Sequence, residues 1–358
     1  MESFGLFVSP VHLCSLLILA ELGIDSTAKE PLQRLLHDLF PHPHSFLAAV
    51  CTIHLIQCGF QNAKIVSEKQ YKAVLNDDPL LAYASEAWAF HALQSLDLNE
   101  TKQHIARFVM DIKAFPAFTS FDRTFGFDIL TPLHVIGLYR LPLNLIDVEQ
   151  LSKYSPNTTT KIFQQSPLMM ASYTGHNSLA EFLLDRSEIQ VNLINKSRCS
   201  ALMLAAYTGQ KGIITRLVSR PDVQVNLVDK SGRSALMLAA HFGYDGIVSI
   251  LVAHPEIQVN LVRNNGWTAL MLAARSGNEG SMKALLTSDG INVNAVNQAG
   301  DTAMKIAAEE GHEAVVQMLL AMPGIDIAVK STDGRTAVSA AAARGHTSIV
   351  KILRKFKS

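Results

Sequence analysis

From Ser166 onward the apolar and polar positions of this chain recur every 34 residues. The segments SPLMMASYTG, SALMLAAYTG, SALMLAAHFG, TALMLAARSG, TAMKIAAEEG and TAVSAAAARG begin at Ser166, Ser200, Ser234, Thr268, Thr302 and Thr336. Each closes on a glycine (Gly175, Gly209, Gly243, Gly277, Gly311 and Gly345), and the phase never slips. A second phrase, IQVNLINK, VQVNLVDK, IQVNLVRN and INVNAVNQ, recurs between them. Within one unit, the Ala- and Leu-rich run 236–240 favours a helix whose small residues let neighbours approach closely. Gly243 is the residue type that ends such a helix in a left-handed conformation. Ile247, Val248, Ile250 and Leu251 then recur at about 3.6 residues, which predicts a second, amphipathic helix. Val259, Asn260 and a turn at Asn265 and Gly266 make an extended, hairpin-like connector to the next unit. One such unit cannot bury its own apolar face, so stacking on its neighbours is required.

These residues resemble ankyrin repeats, whose consensus T-P-L-H-x-A opens a glycine-closed helix pair. Thr131-Pro132-Leu133-His134 matches that consensus best, 35 residues before Ser166. This unit departs further on, with Arg140 in the place of the closing glycine and an irregular stretch over 141–161. It reads as a degenerate N-terminal repeat or cap. In later units the family's Pro is mostly Ala and its His mostly Met, which weakens side-chain hydrogen bonding around the hairpin and keeps the packing surface. The resemblance implies an all-α fold: an ankyrin-repeat solenoid of helix pairs with short β-hairpin loops, preceded by an N-terminal helical domain. The expected division is 1–125 for the helical domain and 126–358 for the array. The array then holds one degenerate repeat near 131 and six clear ones near 166, 200, 234, 268, 302 and 336. Lys351, Arg354, Lys355 and Lys357 give the last unit the polar character that a terminal repeat needs.

The first 125 residues show helical periodicity without repetition. Helices are expected over 46–60, 80–96 and 101–113, the last with Thr101 as its N-cap. Two phrases stand out: His44, Leu47, Ala48 and Cys51, then Leu81, Tyr83, Ala84, Trp88, His91 and Ala92. Followed by Thr131 to His134, they resemble the helical segment that links the nucleotide-binding module to the array in fungal NACHT-ankyrin (NLR-like) proteins. That resemblance implies a role in recognition or regulation. The chain has no G-x-x-x-x-G-K-[ST] phosphate loop, so nucleotide-driven signalling does not carry over.

Charge and composition narrow the function. Lys plus Arg and Asp plus Glu are both 31, without the basic excess of a dedicated nucleic-acid binder. Four cysteines in apolar contexts read as reduced thiols of an intracellular protein. The apolar stretch 4–22 lacks a basic flank and contains Pro10 and His12, so a buried helix is expected there rather than a signal peptide or anchor. The cytoplasm is the expected location, with the nucleus as the alternative. Cys51, His54 and Cys58, with His42 and His44 upstream, could be imagined around zinc, but they share a face with Leu47 and Val50, where cysteine acts as a small hydrophobe. Trp88 and His91 read as core. No catalytic residue, cofactor or metal is expected.

Function in a repeat array is written on its variable positions. The candidates are the residues just before the closing glycines (Tyr173, Tyr207, His241, Phe242 and Arg275) and the hairpin tips (Arg198, Arg233 and Trp267). Aromatic and arginine side chains dominate interface energetics. The reading is a non-catalytic scaffold or adaptor that binds another protein through its concave groove, with no small-molecule substrate, nucleic acid or membrane. The alternatives are a fragment of a longer NLR-like receptor, a small metal-dependent enzyme in the N-terminal domain, and a regulator within a larger complex, suggested by the basic tail.

Overall fold

The computed structural model describes residues 99–111, 114–119, 124–161 and 163–357. The expected helices over 46–60 and 80–96, the apolar stretch 4–22, the Cys51–His54–Cys58 cluster and the phrases at His44 and Leu81 all lie outside those residues. The chain divides into two units, Met1–Tyr154 and Ser155–Ser358.

In the first unit, helix α1 (Asn99–Asp111) buries Ile105, Phe108 and Val109, three positions that share one helical face. It already contains Asn99 and Glu100, so Thr101 lies inside it and is not its N-cap. Strands β1 (Ala114–Thr119) and β2 (Thr124–Ile129) pair antiparallel, with Ala114 opposite Ile129 and Thr119 opposite Thr124. Helical periodicity did not anticipate this ribbon. Its signal is the short alternation of Phe125, Phe127 and Ile129, and Pro116 is tolerated because both strands of a two-stranded ladder are edges. Helix α2 (Pro132–Tyr139) follows Thr131, whose N–H donates to Nδ1 of the buried His134 at 3.1 Å. It ends on Arg140 at φ 55°, the left-handed conformation that the later units assign to glycine. A 3-10 turn (Leu143–Leu145) and helix α3 (Val148–Ser152) occupy part of the stretch that looked irregular.

The second unit is six successive helix pairs: α4 (Pro167–Thr174) with α5 (Asn177–Leu184), α6 (Ala201–Thr208) with α7 (Lys211–Val218), α8 (Ala235–Phe242) with α9 (Asp245–Val252), α10 (Ala269–Ser276) with α11 (Glu279–Leu286), α12 (Ala303–Glu310) with α13 (Glu313–Leu320), and α14 (Ala337–Ala343) with α15 (Thr347–Lys357). The first helices pack on one another in one row and the second helices in another, so each pair packs chiefly on its neighbours. The first five first-row helices each bury six of their eight residues, in α8 Ala235 to Ala240, whereas the terminal α14 buries only Ala337, Ala340 and Ala341. The second-row helices bury one stripe, in α9 Ile247, Val248 and Leu251.

Each boundary has a chemical cause. Ser166, Ser200, Ser234, Thr268, Thr302 and Thr336 are N-caps whose hydroxyls accept the N–H three residues on, at 3.2–3.4 Å. Five first-row helices end on left-handed glycines, from Gly175 to Gly311. The sixth ends one residue early, on Arg344 in right-handed geometry, with Gly345 following at φ 81°.

The connectors are joined by an asparagine ladder. Asn157, Asn192, Asn226, Asn260 and Asn294 each donate Nδ2–H to a carbonyl of the next connector and accept one of its N–H groups on Oδ1. All ten bonds measure 2.6–2.9 Å. The Asn of the V-N phrase is therefore the splice between repeats, and Ala328 stands at the position that would begin a further rung.

Candidate partner-binding surface

The first-row helices carry their variable residues at their C-terminal ends, so stacking brings equivalent positions side by side. Tyr173 on α4 and Tyr207 on α6 are both half-buried and stack with ring centroids 6.4 Å apart and planes 13° from parallel. Tyr207 meets Phe242 of α8 edge-on at 5.2 Å. Phe242 also touches His241 at 4.8 Å and Tyr244 at 6.0 Å, yet keeps 43% of its surface exposed. The repeat geometry thus builds an aromatic stripe across three consecutive units, and its members are fixed by each other.

The stripe runs into a cluster of cations on the next unit. Ser276 Oγ lies 3.4 Å from His241 Nδ1, and its neighbour Arg275 places its guanidinium 5.5 Å from the Trp267 ring centre. Arg263 lies 5.4 Å from the same ring, so two guanidiniums share one indole. Burial holds the His241 imidazole below its ordinary pKa, and Arg275, Arg263 and Arg233 push in the same direction. Arg263 is lowered as well, first by burial and then by Arg233 and Arg275, against an opposing pull from Asp229.

Arg263 departs from the repeat. The corresponding positions, Asn195, Asp229, Asn297 and Ser331, are all buried. The first three each accept two turn N–H groups on one side-chain oxygen, at 2.8–2.9 Å. Arg263 gives up that role, and its Nε donates instead to Asn265 Oδ1. The turn keeps its two backbone bonds, Arg263 N–H to the Trp267 carbonyl at 2.9 Å and Gly266 N–H to the Arg263 carbonyl at 2.8 Å.

Seven of the eight anticipated residues gather here: Tyr173, Tyr207, His241, Phe242, Trp267, Arg275 and Arg233. Arg233 is partly committed elsewhere, since its Nε sits 2.7 Å from Asp229 Oδ2. Arg198 stands apart. It occupies the left-handed turn position (φ 64°) that Gly232, Gly266, Gly300 and Gly334 fill in later units, and it is not among the cations acting on His241. Its true counterpart 34 residues on is Gly232, and Arg233 corresponds to the buried Cys199. Arg263 and Tyr244 were missed, although aligning the five equivalent turn positions exposes the arginine at once.

Further along, the same positions turn to charges that satisfy one another. Lys305, buried where four other units have Met, lies 2.5 Å from Asp301 Oδ1 and 3.6 Å from Glu309 Oε2. Arg344 reaches Glu309 Oε1 at 3.2 Å. The histidines after the closing glycines are structural: His312 Nε2 donates to the Arg275 carbonyl and His346 Nε2 to that of Glu309, each at 3.0 Å. Among the described residues no cluster of His, Cys, Asp or Glu could hold a metal ion, and no helix is long and apolar enough to cross a membrane.

A self-stacking array of capped helix pairs defines a repeat solenoid. The family model described as "Ankyrin repeats (3 copies)" matches residues 144–229, 212–297, 258–331 and 290–357, together more than half of the chain. The chain belongs to the ankyrin-repeat family, whose arrays generally act as protein–protein interaction modules and are typically non-catalytic. Among solved structures, the chain is similar to the crystal structure of EF0377, an ankyrin repeat protein, with a TM-score of 0.51 and 25% identity over 56% of this chain and 98% of that one. No curated protein matches it.

Proposed function

We propose that this chain is a non-catalytic scaffold or adaptor that holds a partner protein along the groove lined by its first-row helix ends. The observation that carries this reading is the aromatic stripe from Tyr173 through Tyr207 to Phe242, continuous with the Arg263–Trp267–Arg275 cluster. Large aromatic and arginine side chains on a rigid frame are the composition of an interface hot spot. Their rigidity also limits the ordering entropy lost on binding. The resemblance of the segment around His44 to His134 to fungal NACHT-ankyrin proteins adds a recognition or regulatory role. The α2 unit supports a degenerate first repeat near 131, since Thr131, His134 and left-handed Arg140 reproduce repeat geometry. The cytoplasm, or else the nucleus, is the location we propose.

The test is affinity capture followed by mass spectrometry, comparing the full chain with a Tyr207→Ala, Trp267→Ala variant of equal melting temperature. Loss of the captured proteins is expected. The same proteins captured at the same yield would refute the groove.

A further inference from the structure

The charge distribution around Trp267 specifies more than a protein partner. Among the described residues neither Arg263 nor Arg275 makes an ion pair, whereas six other arginines of the array do: Arg186, Arg216, Arg220, Arg233, Arg335 and Arg344. Arg275 is exposed and Arg263 half-buried, and both guanidiniums lie over the same indole ring. His241, within hydrogen-bonding reach of Ser276 beside Arg275, extends the donor set toward the aromatic stripe. A planar guanidinium whose donors are not taken by a carboxylate is prepared for two-pronged binding of one.

We infer that the Arg263–Trp267–Arg275 cluster binds a short acidic segment of a partner, one or two carboxylates long, whose adjoining aromatic or apolar residues lie over Phe242, Tyr207 and Tyr173. This inference rests on the groove reading and deepens it by naming the partner's chemistry.

The limits on length follow from the neighbouring repeats. One unit further on, Trp267 is replaced by Asp301, and Arg275 and Ser276 by Glu309 and Glu310. A polyanion tracking the array would meet repulsion there. In the other direction the equivalents of Arg275 are His241, Tyr207 and Tyr173, so the surface becomes aromatic. A nucleic acid needs phosphate contacts at every step, and this surface offers only one cationic station. The three stripe rings, 6.4 Å and then 5.2 Å apart, span what about four residues of extended chain would cover. The order is therefore set: acidic residues at α10, apolar residues running back toward α4.

The experiment selects short random peptides by display on the full chain, then measures the selected peptides by fluorescence anisotropy on variants. Enrichment of one or two Asp or Glu beside an aromatic or large aliphatic residue is expected. The Arg263→Gln, Arg275→Gln chain should bind those peptides at least about tenfold more weakly. Replacing the peptide carboxylates by amides should cause the same loss and abolish the difference between the two chains. Peptides lacking acidic residues, or equal affinity for the double variant, overturn the inference. If such peptides still need Tyr207 and Phe242, the groove reading survives; if they ignore those residues too, or if nothing is enriched, both fail. A single-stranded DNA oligomer bound through the same arginines more tightly than the peptides would also overturn it, in favour of a phosphate ligand.

Discussion

The two halves of the array use one scaffold for opposite ends. Between α4 and α10, the residues before the closing glycines are Tyr173, Tyr207, His241 with Phe242, and Arg275, and the nearby arginines 263 and 275 have no carboxylate partner among the described residues. Between α12 and α14, the same positions carry Glu309, Glu310 and Arg344, and the charges close on one another through Asp301, Lys305, Glu309 and Arg344. The Ser or Thr N-caps run through both halves, and left-handed closing glycines and asparagine rungs change only at the final unit, with Arg344 and Ala328, so backbone geometry separates the halves little. What separates them is whether polar groups are satisfied internally. A closed network stabilises the array and has little left for a partner; an open one keeps its donors for binding.

The closed network gives the largest expected effect. Asp301→Ala leaves the Lys305 ammonium buried with only the more distant Glu309, and should cost about 2 kcal/mol, read as a lower melting temperature. Lys305→Met installs the residue found at Met169, Met203, Met237 and Met271, and should change stability by less than about 1 kcal/mol in either direction. Equal losses for the two variants would mean that the charges act singly rather than as a network. Neither change should alter binding at the aromatic half.

The asparagine ladder tests the claim that the halves share one scaffold. Asn226→Ala removes two bonds beside the aromatic half and Asn294→Ala removes two beside the charged half. Each should cost about 1–2 kcal/mol in denaturant unfolding, and the two should agree. A large inequality would show that the halves differ in backbone support as well as in surface.

How much of this was legible in the sequence depended on periodicity. Helix pairs, closing glycines and the stacked order followed from the 34-residue repeat, because helical propensity, caps and core positions coincide there. The aromatic candidates were legible for the same reason: they are variable residues at invariant positions. The role of the V-N asparagine was not, since its partners lie 30–33 residues on, in the next connector, and a local pattern cannot show them. Arg198 was misplaced because adjacent turn positions look alike until φ is known: 198 takes the left-handed residue and 199 the buried one. The β1–β2 ribbon escaped because two six-residue strands give little period-two signal beside a helical neighbourhood.

A smaller effect lies at the start of the aromatic half. Ser172 Oγ is buried without a hydrogen-bond partner among the described residues, and the equivalent residues 206, 240, 274, 308 and 342 are all Ala. Ser172→Ala should therefore be neutral or stabilise by up to about 1 kcal/mol, measured by thermal melting. Clear destabilisation would reveal a partner for the hydroxyl.

The smallest effect tests the open cluster itself. The His241 pKa lies below the ordinary 6.5 in the folded chain, through burial first and then the repulsion of Arg275, Arg263 and Arg233. As pH falls below 6.5, the unfolded chain takes up a proton that the folded chain resists, so this group withdraws stability progressively toward the folded pKa. Arg275→Gln removes the strongest of the three repulsions and leaves the burial. The His241 pKa should then rise without recovering fully, and the acid-induced drop in melting temperature should shrink. Imidazole titration by NMR reads the first and melting curves on either side of pH 6.5 the second. An unmoved or lowered pKa would place the Arg275 charge away from His241, and the aromatic stripe and the cation cluster would no longer form one surface.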